Sequence, residues 1–180
     1  MKIAHIILMA ILFGIVVPGF RIKARQAEAV LSWSERRKPT NSPDPRIKKA
    51  LEKLKLDYKI TDSGDFRVSL NIEDEGRMQY VFIDSDTYTL GSMELRRIWS
   101  AIAIFPKTPP ANVMNQLLEA GSTKKLGGYQ MVSDKDGSCY ITFFHQIDAD
   151  TPPDFLLIYL KAVALPADEA EKELTGNDNF

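Results

Sequence analysis

The apolar positions of the chain change period several times, and each change marks an element. Ile47, Ala50, Leu51 and Leu54 recur at helical spacing behind Asp44, a capping residue, and Pro45, which as the first helical residue removes no hydrogen bond. This predicts a first helix. Leu56, Tyr58 and Ile60 then alternate, and beyond the turn Asp62-Ser63-Gly64-Asp65 so do Phe66, Val68, Leu70 and Ile72, as in a half-buried antiparallel hairpin with a polar outward face. Residues 78–83 are apolar on both alternating sets, which predicts a central strand covered on both sides. Met93 to Ile104 fits two periods. Leu95, Ile98, Trp99 and Ile102 make a helical face, whereas the density of Ile, the Trp and the lack of a cap suit a strand, with a bulge.

Thr108-Pro109-Pro110 opens a second helix with the stripe Val113, Met114, Leu117 and Leu118 before Gly121. Leu126 to Val132 and Cys139 to Phe144 are strands flanking the turn at Asp136-Gly137. Thr151-Pro152-Pro153-Asp154 opens a third helix, and Phe155 to Val163 is apolar enough for it to be largely buried. Pro166, which lacks an N–H, should kink or stop it, leaving a further helical stretch from Ala167 to Leu174 that ends at Gly176. The succession of elements predicts the α+β class: an antiparallel sheet with helices packed on it.

Ahead of these elements, Ile3 to Phe20 is apolar except for His5 and follows Lys2, the pattern of an export signal, and Ala27-Glu28-Ala29 offers a cleavage site after Ala29. Arg21, Lys23 and Arg25 lie before that cut and resist translocation, and the apolar run approaches the roughly 20 residues that span a bilayer, so an uncleaved anchor is the alternative. Gly14, Pro18 and Gly19 weaken a spanning helix and favour cleavage. Residues 1–29 are thus read as signal peptide or membrane anchor, 30–44 as a flexible linker mixing charge, Ser and Pro, and 45–180 as the domain. The expected location is periplasmic or secreted after cleavage, and otherwise membrane-anchored through this segment alone.

Composition narrows the function. At 180 residues and 44% hydrophobic the chain can bury a core without disulfides or a structural metal. Up to Pro43 there are seven basic and two acidic residues, so sixteen basic and twenty-two acidic remain and the domain carries 16 − 22 = −6. With no basic run in an acidic body, nucleic acid is not an expected partner. The lone Cys139 excludes an internal disulfide and a Cys-x-x-Cys motif. Cys139 and His145 are the domain's thiol and imidazole, but six strand steps put them about 20 Å apart. Cys139 is therefore read as a small core residue and His145 as a strand-end surface residue.

Asp84-Ser85-Asp86 begins like a calcium loop and fails at Tyr88 and Thr89, where a ligand and a glycine are needed. Asp134 with Asp136, and Asp148 with Asp150, read as solvated turn residues. Leu126-Gly127-Gly128 lacks the lysine and hydroxyl of a phosphate loop, and its glycines instead permit close packing. No catalytic, metal or cofactor site is expected. Met93, Leu95 and Trp99 are the partner-binding candidates, if they lie on an exposed strand face; the preferred placement puts them in the core beneath the last helix.

The Gly64-Asp65-Phe66 turn, the Val81 strand, Trp99-Ser100, Leu117-Leu118, Leu126-Gly127-Gly128, and Ala167-Asp168 with Glu171 to Gly176 resemble the YbjN-like family across residues 47–180. That family bears the label of bacterial sensory-transduction regulators. The resemblance implies a fold similar to type III secretion chaperones, a strand at Met93 to Ile104, and the order α-β-β-β-β-α-β-β-α. It also implies a small, dimeric, non-enzymatic domain that binds a protein partner or an extended segment, with no catalytic residue and no cofactor. Pro166 departs from the family's more continuous last helix. The alternative reading is an envelope scaffold protein whose linker holds the acidic domain off the membrane.

Overall fold

A computed structural model describes residues 42–72 and 76–180, so the segment read as signal peptide or anchor (1–29) and most of the segment read as linker (30–44) lie outside the described residues. Helix α1 (Pro45–Leu54) starts where Asp44 accepts a hydrogen bond from the Arg46 N–H at 2.8 Å, and it buries Ile47, Ala50 and Leu51. Strands β1 (Tyr58–Ile60), β2 (Phe66–Ile72), β3 (Arg77–Ile83), β4 (Tyr88–Leu90) and β5 (Met93–Phe105) follow, then helix α2 (Ala111–Gly121). Strands β6 (Gly128–Ser133) and β7 (Cys139–Asp148) and helix α3 (Pro153–Thr175) complete the order. The strands pair antiparallel throughout as β1-β2-β3-β5-β7-β6, with β4 on the start of β5. The α+β architecture expected from the sequence is therefore present.

One core holds the domain together. Alternate residues of the strands, among them Phe66, Val68, Val81, Ile83, Ile98, Ile141 and Phe143, are fully buried and join Leu51 of α1, Leu117 of α2 and Leu156, Leu160 and Val163 of α3 in a single cluster. All three helices cover the same face of the sheet, as one continuous core requires.

Four features depart from the expected pattern. Strand β4 was not anticipated, because three residues between two turns are too few to show a period. Pro166 does not stop α3, which runs unbroken through it. The proline removes one hydrogen bond, to the Ala162 carbonyl, while Val163, Ala164, Ala167 and Ala170 are buried on both sides of it. Burial of that row offsets the roughly 3 kcal/mol an interior proline costs. Helix α3 is also less buried than its composition suggests, since Phe155, Ile158 and Leu165 form an exposed stripe. Strand β3 is central but covered on one side only: Val81 and Ile83 are sealed, whereas Tyr80 and Phe82 are half-buried and Met78 is 40% exposed.

The bulge expected in Met93 to Ile104 is present in β5 and turns Ile104 outward. Ala101 pairs with Thr142 and Ala103 with Ile141, leaving Ile102 as the extra residue. Ile102 and Ala103 both point into the core, and strict alternation resumes one step out of phase, so Ile104 emerges on the opposite face, 54% exposed. Next to the bulge the β3–β5 ladder pairs just Phe82 with Trp99 and Ile83 with Ile98. Side chains take over from there: Gln79 donates from Nε2 to Ser100 Oγ at 2.8 Å and to the Ala101 carbonyl at 2.9 Å, and the Ser100 hydroxyl donates to the Tyr80 carbonyl at 2.6 Å.

Candidate functional site

The face of the sheet turned away from the helices is the most distinctive surface of the domain. Strand register aligns Lys59, Arg67, Phe82, Trp99, Phe144 and Gly128 in one row across six strands. Phe82 and Trp99 stack at 4.4 Å between centroids with 13° between planes, and Arg67 lies 4.6 Å over the Tyr80 ring in the adjoining row. Trp99 is fixed further by its indole N–H, which donates to Asp84 Oδ1 at 2.9 Å, while Arg97 pairs with Oδ2 of the same carboxylate. Stacking and the indole hydrogen bond thus hold Phe82 and Trp99 in place. Beyond it Met78, Ile104 and Val132 add apolar surface. Among the described residues no helix covers this face.

Met93, Leu95 and Trp99 sit on this uncovered face and not in the core beneath α3, which corrects the preferred placement. Met93 is 48% exposed, and Leu95 and Trp99 are half-buried. Their shared face follows from odd numbering before the bulge. The other members, Phe82, Tyr80, Phe144, Tyr140 and Ile104, were not singled out from the sequence. A signal existed: apolar residues on both sets of residues 78–83 in a sheet whose helices cover one side.

No family model matches the chain. No curated protein matches it either. Among solved structures it is similar to one chain of the heterodimeric complex ExoU–SpcU, from the type III secretion system of Pseudomonas aeruginosa. The identity is 17% and the TM-score 0.41, over 73% of this chain and 99% of that one. A likeness of that degree assigns neither an activity nor a partner.

The residues weighed for chemistry are dispersed. Cys139 is buried at the start of β7, with its Sγ 3.5 Å from Ser133 Oγ, as expected of a small core residue. His145 is six residues along the same strand, and it is not a strand-end surface residue: it is half-buried against Tyr159 of α3, ring centroids 5.4 Å apart, and burial lowers its pKa. The Asp84-Ser85 turn is a structural knot, the Ser85 hydroxyl donating to the Gly64 carbonyl at 2.7 Å and its N–H to Asp65 Oδ1. Asp136 and Asp148 accept hydrogen bonds from Ser138 and from the Asp150 N–H within their own turns. Asp150 stays exposed, as read from the sequence, and also pairs with Arg46 at 2.9 Å.

Among the described residues, one group of acidic side chains is close enough to share a metal ion, Asp168, Glu171 and Asp178, and a guanidinium already occupies it. Arg77 donates from Nε to Asp168 Oδ1 at 2.6 Å and from Nη2 to the Asn177 carbonyl, and it lies 3.7 Å from Glu171 Oε2 and 3.8 Å from Asp178. This ties β3 to the end of α3. Glu171 is fully buried, accepts the Asn179 N–H at Oε1, and finds no hydrogen-bond donor among the described residues for Oε2. Burial raises its pKa above the ordinary 4.5, the Asn179 N–H and Arg77 oppose this, and Asp178 and Asp168 add to it. A carboxyl raised in the folded state contributes stability below its unfolded pKa and loses it as pH rises through the folded one. Glu171→Gln keeps the acceptor and removes one charge of three, so it is expected to stabilise the domain at pH 7 by about 1 kcal/mol and by less at pH 5. Urea unfolding at the two pH values reads this directly, and equal effects at both would show that Glu171 does not titrate in this window.

Proposed function

We propose that the domain is a non-enzymatic protein-binding module of the YbjN-like kind, and that it engages its partner through the uncovered face of the sheet. The observation that carries this reading is the aromatic row Phe82, Trp99 and Phe144, flanked by Tyr80, Met78, Ile104 and Val132, on a face that no helix among the described residues covers. Half-buried aromatic side chains held rigid lose little entropy on binding and bury large areas, which is why they anchor interfaces. Met93, Leu95 and Trp99 belong to this surface in the proposal. The homodimer implied by the resemblance has a separate apolar stripe at its disposal, Phe155, Ile158 and Leu165 on α3.

Site-specific photocrosslinking tests the face. A benzoylphenylalanine at Ile104 or Val132 is expected to give discrete adducts in native extract that Trp99→Ala abolishes, while the same probe at Glu119 on the exposed side of α2 gives none. Adducts from Glu119 with none from the sheet would overturn the assignment. The apolar segment Ile3 to Phe20 supports placing this module at or beyond a membrane.

A further inference from the structure

A groove of about 540 Å³ runs between α1 and the turn that joins β7 to α3, on the helix side of the sheet and apart from the uncovered face. Buried Ile47, Ala50 and Ala149 form its bottom, and Pro152 and Pro153 line the side facing α1. This volume falls in the range of sites that hold a small ligand or a short stretch of chain.

Its charge is the informative part. Three cationic side chains, Arg46, Lys49 and Lys53, and one anionic one, Asp150, line it in a domain whose overall charge is negative. Arg46 is committed to Asp44, Glu94 and Asp150. Lys49 and Lys53 are exposed, and among the described residues neither forms an ion pair. Two like charges four residues apart work against their own helix. They rise along α1 by about 6 Å, close to the roughly 6.6 Å between alternate side chains of an extended chain. The chain's own approach to α1 does not suit this rail, because Arg36-Arg37-Lys38 has the same sign.

We propose that this groove binds an acidic, extended segment of a partner protein, with two carboxylates two residues apart on Lys49 and Lys53 and an apolar side chain between them against Pro152 and Pro153. The spacing makes the order of residues specific: acidic, apolar, acidic. The apolar bottom supplies burial, and the lysines set direction and register.

The test is fluorescence anisotropy with the full chain and a labelled peptide of alternating glutamate and leucine. Binding that weakens with salt is expected, and a glutamine–leucine peptide should bind at least about tenfold more weakly. Lys49→Glu with Lys53→Glu should weaken the glutamate peptide by about tenfold with the unfolding midpoint unchanged, and Ile104→Glu on the sheet should leave it unaltered. Should the reversed pair fold poorly, Lys49→Gln with Lys53→Gln must show a smaller loss of the same sign. Equal binding of the two peptides, or undiminished binding by the double variant, overturns the proposal. So does failure to bind peptide by a protein that sediments with anionic vesicles through the same two lysines.

Discussion

Gly127→Ala is expected to destabilise the domain by about 3 kcal/mol, lowering the midpoint of thermal unfolding by about 10 °C, whereas Gly128→Ala next to it changes stability by less than about 1 kcal/mol. Gly127 has φ of +76°, and a Cβ there would meet the Phe144 carbonyl oxygen at 2.4 Å and the Phe143 ring at 2.8 Å. The first of these is backbone of the neighbouring strand and cannot swing aside. A Cβ on Gly128 meets nothing within 4 Å, so its glycine serves no packing need. The close packing expected of this pair belongs to Gly127 alone. Hydrogen exchange should locate the damage in β6, with its amides exposed first, and equal costs at the two positions would show that the contact with Phe143 and Phe144 is not what holds the strand.

The second large effect is expected at Asp44, where one carboxylate performs three tasks. It caps α1, it pairs with Arg46, and through Oδ2 it accepts a hydrogen bond from Arg96, whose side chain is fully buried. Arg96 also donates to the Asp84 carbonyl at 2.8 Å, and its Nε has no partner among the described residues. Asp44→Ala leaves that buried guanidinium without a counter-charge, which costs about 3–5 kcal/mol, and the lost cap adds about 1 kcal/mol. Arg96→Met in the same chain should recover more than half of the loss, because the buried charge goes too. If the double variant unfolds where the single one does, the cap and not the ion pair carries the effect.

The same carboxylate makes stability depend on acid. Burial would raise its pKa, but hydrogen bonds from Arg46 and Arg96 prevail and lower it from 3.8 to about 2. Its contribution is therefore present above the unfolded value near 3.8 and is lost as pH falls toward 2, since the unfolded chain binds the proton first. The stability gap between the wild type and Asp44→Ala should narrow over that interval. Glu171 acts in the opposite sense at higher pH, so the two groups can be separated by the window in which each variant departs from wild type.

Local grammar made much of this fold legible. The cap at Asp44, the Asp62–Asp65 turn, the alternation in β2 and the left-handed Gly176 that ends α3 each follow from a few neighbouring residues, and the structure places them as read. The candidate site is legible in part: strand alternation allows Met93, Leu95 and Trp99 to face a partner, but their apolar character favours the core. Burial of an apolar side chain is the default, and strand alternation names two faces without saying which one a helix covers. The same ambiguity made residues 78–83 look doubly covered.

By itself, then, the sequence determined the class, most of the elements and the alternation of β2, because these depend on periods of two and 3.6 residues within short windows. Tertiary structure decided which face stays open, since that requires all three helices to choose the same side. It also decided that Ile104 leaves the core, through a bulge one residue long, and that α3 passes Pro166, through burial on both flanks. These outcomes rest on contacts between residues far apart in the chain, and no local pattern encodes them.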